Sequence, residues 1–175
     1  CVAARSAADA VRAGDAVITM LPTDGHVRAV YGDAILPNAR PGTLLIDCST
    51  IDMESARAVA AEAKAAGFRS ADAPVSGGTA GAQAGALAFM VGCDEADFPA
   101  IEAVIAPMAR TVIRAGDHGA GQAAKICNNM VLGASMIAVC EAFALAEKLG
   151  LDGERFFEIA SKSSGQCWSL NSYCP

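Results

Sequence analysis

The sequence has little charge, few histidines and no paired-cysteine motif. Charged residues make up 18% of its 175 positions and hydrophobic residues 53%, a balance that excludes an intrinsically disordered chain. With 13 basic and 19 acidic residues the net charge is −6, and this lack of basic excess argues against a nucleic-acid partner. The length supports one domain or slightly more, with a sizeable core.

Metal ligands and disulfide patterns are scarce as well. The chain has 7 cysteines, an odd number with no C-x-x-C pair, and only two histidines, His26 and His118, far apart. No group has the spacing of a zinc site, so we predict no metal. The cysteines are interpreted as reduced thiols, most of them small buried apolar residues, in a cytosolic type of compartment.

No apolar run is as long as a membrane span. The longest uncharged apolar run, 126–140, is shorter than the roughly 18 residues required, so we predict a buried core helix and no membrane partner. The first residues show no charged leader followed by an apolar stretch, so no signal peptide is expected. Because both ends are abrupt and there is no initiator methionine, we interpret the sequence as part of a longer cytoplasmic protein, or a mitochondrial-matrix protein if eukaryotic.

Short apolar runs alternate with helical patterns over the first two thirds of the chain. Near-continuous apolar runs favour strands buried on both faces, as in parallel sheets. Their alternation with helices predicts βαβ units and a doubly wound α/β sheet. The predicted strands are 16–21, 43–48, 69–75, 87–91 and 111–114, and the predicted helices are 7–13, 53–66 and 94–108.

The last third has a different pattern. From Gly119 to Leu149 there is no proline, and the apolar residues recur at helical spacing. A helix of that size is about 45 Å long, which exceeds the usual sheet-covering helix. A further helix is predicted over 153–161. We therefore predict a partial Rossmann-like domain over 1–118, followed over 119–175 by a long connecting helix and the start of an all-α domain.

Lys125 is the sharpest candidate for chemistry. It lies early in the long helix among apolar or neutral neighbours, with Asn129 one turn further on the same face. The helix dipole and partial burial would both lower the pKa of its amine toward an acid/base range. The alternative is an ordinary helix lysine that extends to solvent.

Ser76, Gly77 and Gly78 directly follow a predicted strand. Two glycines let backbone N–H groups approach an anion, and the serine adds a hydroxyl donor. Ligands bind at the carboxyl ends of strands in open α/β sheets, although an ordinary turn explains the same residues.

Other loops give weaker signals. Segments 15–23 and 45–50 also run from a strand into a polar loop, which ordinary strand termination explains without a ligand. Gly116, Gly119 and Gly121 form neither a dinucleotide fingerprint nor a Walker motif, and we expect them to free space near a ligand. The sequence contains no G-x-S-x-G motif typical of serine hydrolases.

Six segments match, in order, the motifs of one enzyme family. They are 18–23, 45–52, 72–78, 89–92, 119–130 and 163–169. On these segments the chain resembles the β-hydroxyacid dehydrogenases. The pieces Asp-Ala-Pro-Val-Ser-Gly-Gly and Gly-x-Gly-x-x-x-Lys-x-x-x-Asn are highly specific, and the last segment indicates the hydroxyisobutyrate branch.

The resemblance implies a role for each matched residue. Lys125 would be the catalytic acid/base, and Asn129 would hold the lysine and the substrate. A carboxylate-binding loop would consist of Ser76, Gly77 and Gly78. Contacts to the cofactor NAD would come from Leu21, Pro22 and Thr50.

The resemblance also implies a reaction and an assembly. The expected reaction is the NAD-dependent oxidation of 3-hydroxyisobutyrate to methylmalonate semialdehyde in valine breakdown, by a homodimer or homotetramer. Two alternatives stay open: a related reductase of tartronate or succinic semialdehyde, and a truncated homologue without catalysis. The family's Gly-rich pyrophosphate loop and its C-terminal helical region have no counterpart in these 175 residues.

Overall fold

The computed structural model describes residues 2–174. Its strands are β1 (Ala16–Thr19), β2 (Leu44–Asp47), β3 (Arg69–Asp72), β4 (Val75–Ser76), β5 (Leu87–Gly92) and β6 (Ala109–Gly116). Its α-helices are α1 (Ala7–Val11), α2 (Asp24–Val30), α3 (Met53–Ala65), α4 (Gly78–Gln83), α5 (Phe98–Ile105), α6 (Ala120–Lys148), α7 (Gly153–Ala160) and α8 (Trp168–Tyr173). A π-helical turn, Tyr31–Ile35, continues α2.

The six strands form one mixed sheet. Strands β1, β2 and β3 are parallel neighbours, and β6 is parallel to β5. Strand β5, however, runs antiparallel to β3 and β4. The connection between β4 and β5, residues 77–86, is shorter than the dozen or more residues that a parallel crossover needs. The predicted α/β fold, a doubly wound sheet followed by a long helix, is confirmed, with the two antiparallel pairings of β5 added.

Two apolar clusters pack on the two faces of the sheet. Ile46, Phe89 and Ile101 belong to the cluster on one face, and Leu45 and Val59 belong to the other. Because neighbouring residues of a strand point to opposite faces, the adjacent Leu45 and Ile46 are both fully buried. This burial on both faces explains why β2 is a continuous apolar run.

Side-chain caps begin two of the predicted helices in the first part of the chain. The Ser6 hydroxyl accepts a hydrogen bond from Asp9 N at the start of α1, at 3.1 Å. Asp52 accepts one from Ser55 N at the start of α3, at 2.7 Å, and the side chain and N–H of Ser55 together hold the pKa of Asp52 below its ordinary value. The sequence analysis predicts no helix at α2, α4 or α8.

The long helix forms where it is predicted, but the prediction that 126–140 is a buried core helix is wrong. No residue of that run is buried, and Met130, Val131 and Ile137 are each more than 60% exposed. The helices that follow it, α7 and α8, have only 8 and 6 residues, and they leave much of a 29-residue helix uncovered. Within residues 2–174, α6 is the one helix long and apolar enough to cross a membrane. Length and composition alone are weak support for such a span, because long helices in soluble proteins share them.

The chain divides into two compact units, one of residues up to Lys125 and one from Ile126 onward. The sheet and both apolar clusters lie in the first unit. In the second unit, the rings of Phe143 and Phe156 meet edge to face at 4.9 Å, and Leu170 is buried. The domain boundary after residue 118 stays a prediction.

Candidate active site

A buried polar network joins the loops that follow β1 and β2. The Asp47 carboxylate accepts hydrogen bonds from the hydroxyls of Thr19, at 2.7 Å, and Ser49, at 2.6 Å. The Ser49 hydroxyl oxygen in turn accepts a hydrogen bond from Leu21 N at 2.8 Å. Since Asp47, Thr19 and Ser49 are all buried, these bonds satisfy groups that would otherwise be costly to bury.

The predicted cofactor contacts lie at this edge of the sheet. Leu21 and Pro22 follow β1, and Thr50 follows β2. Pro22 and Thr50 are exposed and Leu21 is half-buried, so the edge presents both apolar surface and a hydroxyl to solvent. The network beneath them fixes their backbone while leaving their side chains accessible.

Asp72, at the end of β3, caps the start of α6. One carboxylate oxygen accepts a hydrogen bond from Gly119 N at 2.7 Å, and the other accepts one from Gln122 N at 3.0 Å. Asp72 is 4% exposed, and its burial raises the pKa of the carboxyl above its usual value, against the opposing effect of these two bonds. The first turn of α6 is thereby attached to the centre of the sheet.

Small residues allow this close approach. A side chain at Gly121 would meet Met90 O, and it would also lie 2.7 Å from Asp72 O. A side chain at Gly119 would lie 2.9 Å from Arg57 Nε. The space at these two glycines is therefore filled by the chain's own atoms, and the expectation that they free room for a ligand is wrong.

Lys125 lies in the second turn of α6 and is half-buried. Burial lowers the pKa of its amine below the ordinary lysine value. Among residues 2–174 it has neither an ion pair nor a side-chain hydrogen bond, so its amine is available to a ligand. Asn129, one turn further, is exposed, and its carboxamide oxygen accepts only a long bond of 3.5 Å from Asn128.

Ser76, Gly77 and Gly78 form the junction between β4 and α4. Ser76 is half-buried, whereas both glycines are exposed. Gly77 has φ +131° and Gly78 has φ +61°, so two successive residues adopt backbone conformations that favour glycine. This irregular, accessible backbone is the turn that the sequence predicts. It follows β4, whereas Asp72 is the last residue of β3.

Hydrogen bonds link some of the predicted residues of the described chain and not others. The segments of Leu21 and Thr50 are joined through Ser49. Within the described part of the chain, no hydrogen bond connects Ser76 or Lys125 to another predicted site residue. The connecting residues were not predicted: they are Asp47, Ser49, Asp72 and Gln122, all buried polar residues inside the matched motifs. Asp47 and Ser49 carry one sequence signal, a polar side chain at the end of an apolar run, whereas Gln122 lies at the start of a helix and carries none.

The motif 163–169 lies in the second unit. Ser163, Ser164, Gly165 and Gln166 line an open cleft of about 610 Å³, together with residues of α6 and α7. Ser169 is fully buried, and its hydroxyl lies 2.7 Å from that of Ser135 on α6. The motif therefore combines an accessible loop with an anchored start of α8.

Two family models match nearly the whole chain. Residues 1–116 match the model described as the NAD-binding domain of 6-phosphogluconate dehydrogenase. The chain belongs to this family of NAD-binding domains. Residues 119–175 match a second model, described as NAD-binding of NADP-dependent 3-hydroxyisobutyrate dehydrogenase. NAD is thus the cofactor class of this family of domains, in agreement with the prediction.

Named relatives of this NAD-binding family confirm the resemblance to the β-hydroxyacid dehydrogenases. A probable 3-hydroxyisobutyrate dehydrogenase of Mycobacterium tuberculosis is 52% identical over 98% of this chain and 58% of its own length. An NAD-dependent L-serine dehydrogenase of Pseudomonas aeruginosa is 47% identical over 99% of this chain and 59% of its own.

A solved structure supports the same assignment. The structure of M. tuberculosis 3-hydroxyisobutyrate dehydrogenase with L-serine has a TM-score of 0.91 to this chain, at 52% identity. It covers 98% of this chain, which corresponds to 58% of the M. tuberculosis chain. The chain thus spans a little over half the length of the relatives that it matches.

Proposed function

We propose that the protein containing this chain is an NAD-dependent dehydrogenase that oxidises 3-hydroxyisobutyrate to methylmalonate semialdehyde, a step of valine breakdown. The observation that supports this most directly is the half-buried Lys125 amine, which has no ion pair among the described residues and whose pKa is lowered by burial. At any given pH, such an amine is deprotonated to a larger extent than an ordinary exposed lysine, as a general base requires.

Each predicted residue has a task in this reaction. Lys125 accepts the proton of the substrate hydroxyl, and Asn129 holds the amine and the hydroxyl together. Ser76, Gly77 and Gly78 bind the substrate carboxylate through the serine hydroxyl and the backbone N–H groups of the turn. Binding at both ends of the substrate orients its reacting carbon, which is worth a large part of the rate enhancement.

The exposed apolar and hydroxyl groups beside β1 and β2 fit one end of a dinucleotide. Leu21, Pro22 and Thr50 would hold NAD there. When bound, NAD supplies the acceptor for the hydride that leaves the carbinol carbon. We propose NAD rather than NADP, and the ratio of kcat/KM for the two cofactors tests this choice.

L-Serine is a second candidate substrate. It has the same hydroxymethyl group and carboxylate as 3-hydroxyisobutyrate, with an ammonium in place of the methyl group. Two comparisons support it: one relative is named an L-serine dehydrogenase, and the similar solved structure includes L-serine. Lys125 is assigned to the substrate hydroxyl and the Ser76 turn to the substrate carboxylate. Both substrates have these two groups, so these residues alone do not select between the substrates.

The experiment is a substrate panel on the full-length gene product with Lys125→Ala as the test variant. We expect kcat/KM to be highest for 3-hydroxyisobutyrate, with L-serine, tartronate semialdehyde and succinic semialdehyde as comparators. Lys125→Ala should lower kcat by about 10²- to 10⁴-fold, as expected for a lost acid/base group, and change the Kd for NADH by less than about threefold. Lys64→Ala, an exposed lysine paired with Asp94, is the matched control and should keep full activity.

Different outcomes separate the alternatives. A kcat/KM that is far higher for one of the semialdehydes would assign the related reductase instead. If the protein shows no turnover, and NADH does not shift its melting temperature, the homologue without catalysis is favoured. If the kcat of Lys125→Ala were within tenfold of the wild-type value, Lys125 would not be the acid/base group.

We also propose that the full-length protein is a homodimer or homotetramer and that it is located in the cytoplasm. The exposed apolar side chains of α6 support association with other protein surface. Sedimentation of the full-length product and fractionation of the source cells test the two proposals.

A further inference from the structure

Gln122 is a buried residue with three hydrogen bonds to two different parts of the sheet. It is the third residue of α6 and is fully buried. Its backbone N–H donates to Asp72 at 3.0 Å, at the end of β3. Its side-chain amide donates to Ser49 O at 2.8 Å and accepts from Ile51 N at 3.2 Å, in the loop after β2.

The two side-chain bonds flank Thr50. Because Ser49 and Ile51 are both bonded to the same carboxamide, the backbone on either side of Thr50 is fixed while the Thr50 side chain stays exposed. Ser49 also receives the hydrogen bond of Leu21 N. Through Ser49, one glutamine therefore restrains both segments that carry the predicted cofactor contacts.

Lys125 follows Gln122 by three residues on the same helix. Residues at that spacing lie on neighbouring turns of one helix face, and a helix held at its first turn is locally rigid. Any displacement of the Gln122 backbone relative to the β2 loop would therefore displace the base of the Lys125 side chain as well.

We propose that Gln122 is a positioning residue, which holds the turn of α6 bearing Lys125 at a fixed place relative to the loops bearing Leu21 and Thr50. This inference rests on the proposed function for its catalytic meaning. Proton transfer to the lysine and hydride transfer to the cofactor must occur on one substrate carbon and its oxygen. A misplacement of about 1 Å between the two partners can cost about 10²-fold in rate.

The test variant is Gln122→Met, which keeps the length of the side chain and removes both of its hydrogen bonds. In the full-length product we expect kcat to fall by about 10- to 100-fold, while the Kd for NADH and the KM for the hydroxy acid change by less than about threefold. The primary deuterium isotope effect on kcat should increase, because hydride transfer becomes more strongly rate-limiting. A purely structural role would not change that isotope effect.

Thr43→Val is the matched control. Thr43 is 2% exposed, and its hydroxyl donates to Gly14 O at 3.0 Å, so its replacement also removes a buried hydrogen bond. It lies at the amino end of β2, opposite the proposed site. We expect it to lower the melting temperature without changing kcat or the isotope effect.

A second readout does not depend on turnover. In the cofactor-free protein, the pH dependence of Lys125 acylation, followed by mass spectrometry, gives the pKa of that amine. Gln122→Met should move this pKa back toward the ordinary lysine value, because a loosened helix start admits water, whereas Thr43→Val should leave it unchanged.

The measurements test the positioning role of Gln122 and the proposed function separately. A Gln122→Met variant with wild-type kcat and an unchanged Lys125 titration would overturn the positioning role. So would a loss of activity no larger than in Thr43→Val. If the wild-type protein oxidises no hydroxy acid, the proposed function fails, and the Lys125 titration alone then decides whether Gln122 positions the lysine.

Discussion

The amine of Lys125 is the titratable group on which the proposed chemistry depends. As a general base it must be neutral, so kcat/KM for alcohol oxidation should rise with pH and level off above its pKa. Burial lowers that pKa, so the plateau should begin below the ordinary lysine value of about 10.4. In the reverse direction the ammonium is the proton donor, and aldehyde reduction should fall through the same pKa. A pH–rate profile in both directions checks this, and a plateau missing from both would contradict it.

Asp72 is a second residue whose side chain should contribute measurably to the free energy of unfolding. Asp72→Ala leaves the N–H groups of Gly119 and Gln122 without their acceptor, so we expect the free energy of unfolding to fall by about 2–4 kcal/mol. Asp15→Ala is the control, because Asp15 is fully exposed and solvent screens its ion pair with Arg40, so we expect little change. Urea unfolding followed by circular dichroism measures both variants. Equal losses would show that Asp72 does not anchor the helix.

At the residue scale, the sequence supplies candidates but not their connections. Ser76, Gly77 and Gly78 can be named from local spacing, because strand ends and double glycines are signals within a few residues. The bond between Gln122 and Ser49 spans 73 positions of the chain. No periodicity within one segment specifies such a contact, and its partners are therefore identified only once the strands are paired.

At the element scale, prediction follows local physics closely. Continuous apolar runs give β1, β2 and β5, and side-chain caps give the start of α1 and α3. Helix α4 has the sequence Gly-Thr-Ala-Gly-Ala-Gln, and its two glycines make it a poor helix by propensity alone. The antiparallel pairing of β3 with β5 is also not predicted, since strand direction depends on how the connection folds back.

Helix α6 offers a matched pair of glycine substitutions. Gly121→Ala would place a methyl group against Met90 O and Asp72 O, so we expect a loss of about 1–3 kcal/mol through overpacking or displacement of the helix. Gly133→Ala lies in the same helix with no atom within 4 Å of the added carbon, and we expect a gain of about 0.5–1 kcal/mol from helix propensity.

Urea unfolding of the two glycine variants, with the transitions of both compact units followed, gives the comparison. If Gly121→Ala were as stable as wild type, the close approach of α6 to the sheet would not matter energetically. If Gly133→Ala were instead destabilised, the exposed side of the helix would be in contact with other protein. The opposite signs expected for one chemical change make the pair informative.

At the scale of the whole molecule, the apolar surface of α6 is the feature that sequence reasoning misjudges. The mean hydropathy of its most apolar window, 1.7, is typical of a helix that is covered, and only 6% of that window is buried within the chain. Composition indicates that an apolar helix packs against another surface. It does not indicate which protein or lipid surface that is. The matched relatives are longer, with this chain spanning 58% of the M. tuberculosis enzyme.

The 175-residue chain, produced alone, should therefore associate through α6. We expect it to bind the dye ANS and to sediment as oligomers, and we expect Ile137→Lys to reduce both effects, because Ile137 on α6 is 68% exposed. Ile113→Lys is the control: Ile113 is 59% exposed but lies on β6, so association should persist. Sedimentation velocity with ANS fluorescence distinguishes the two variants. A monomeric wild-type chain without ANS binding would show that the exposed face of α6 needs no cover.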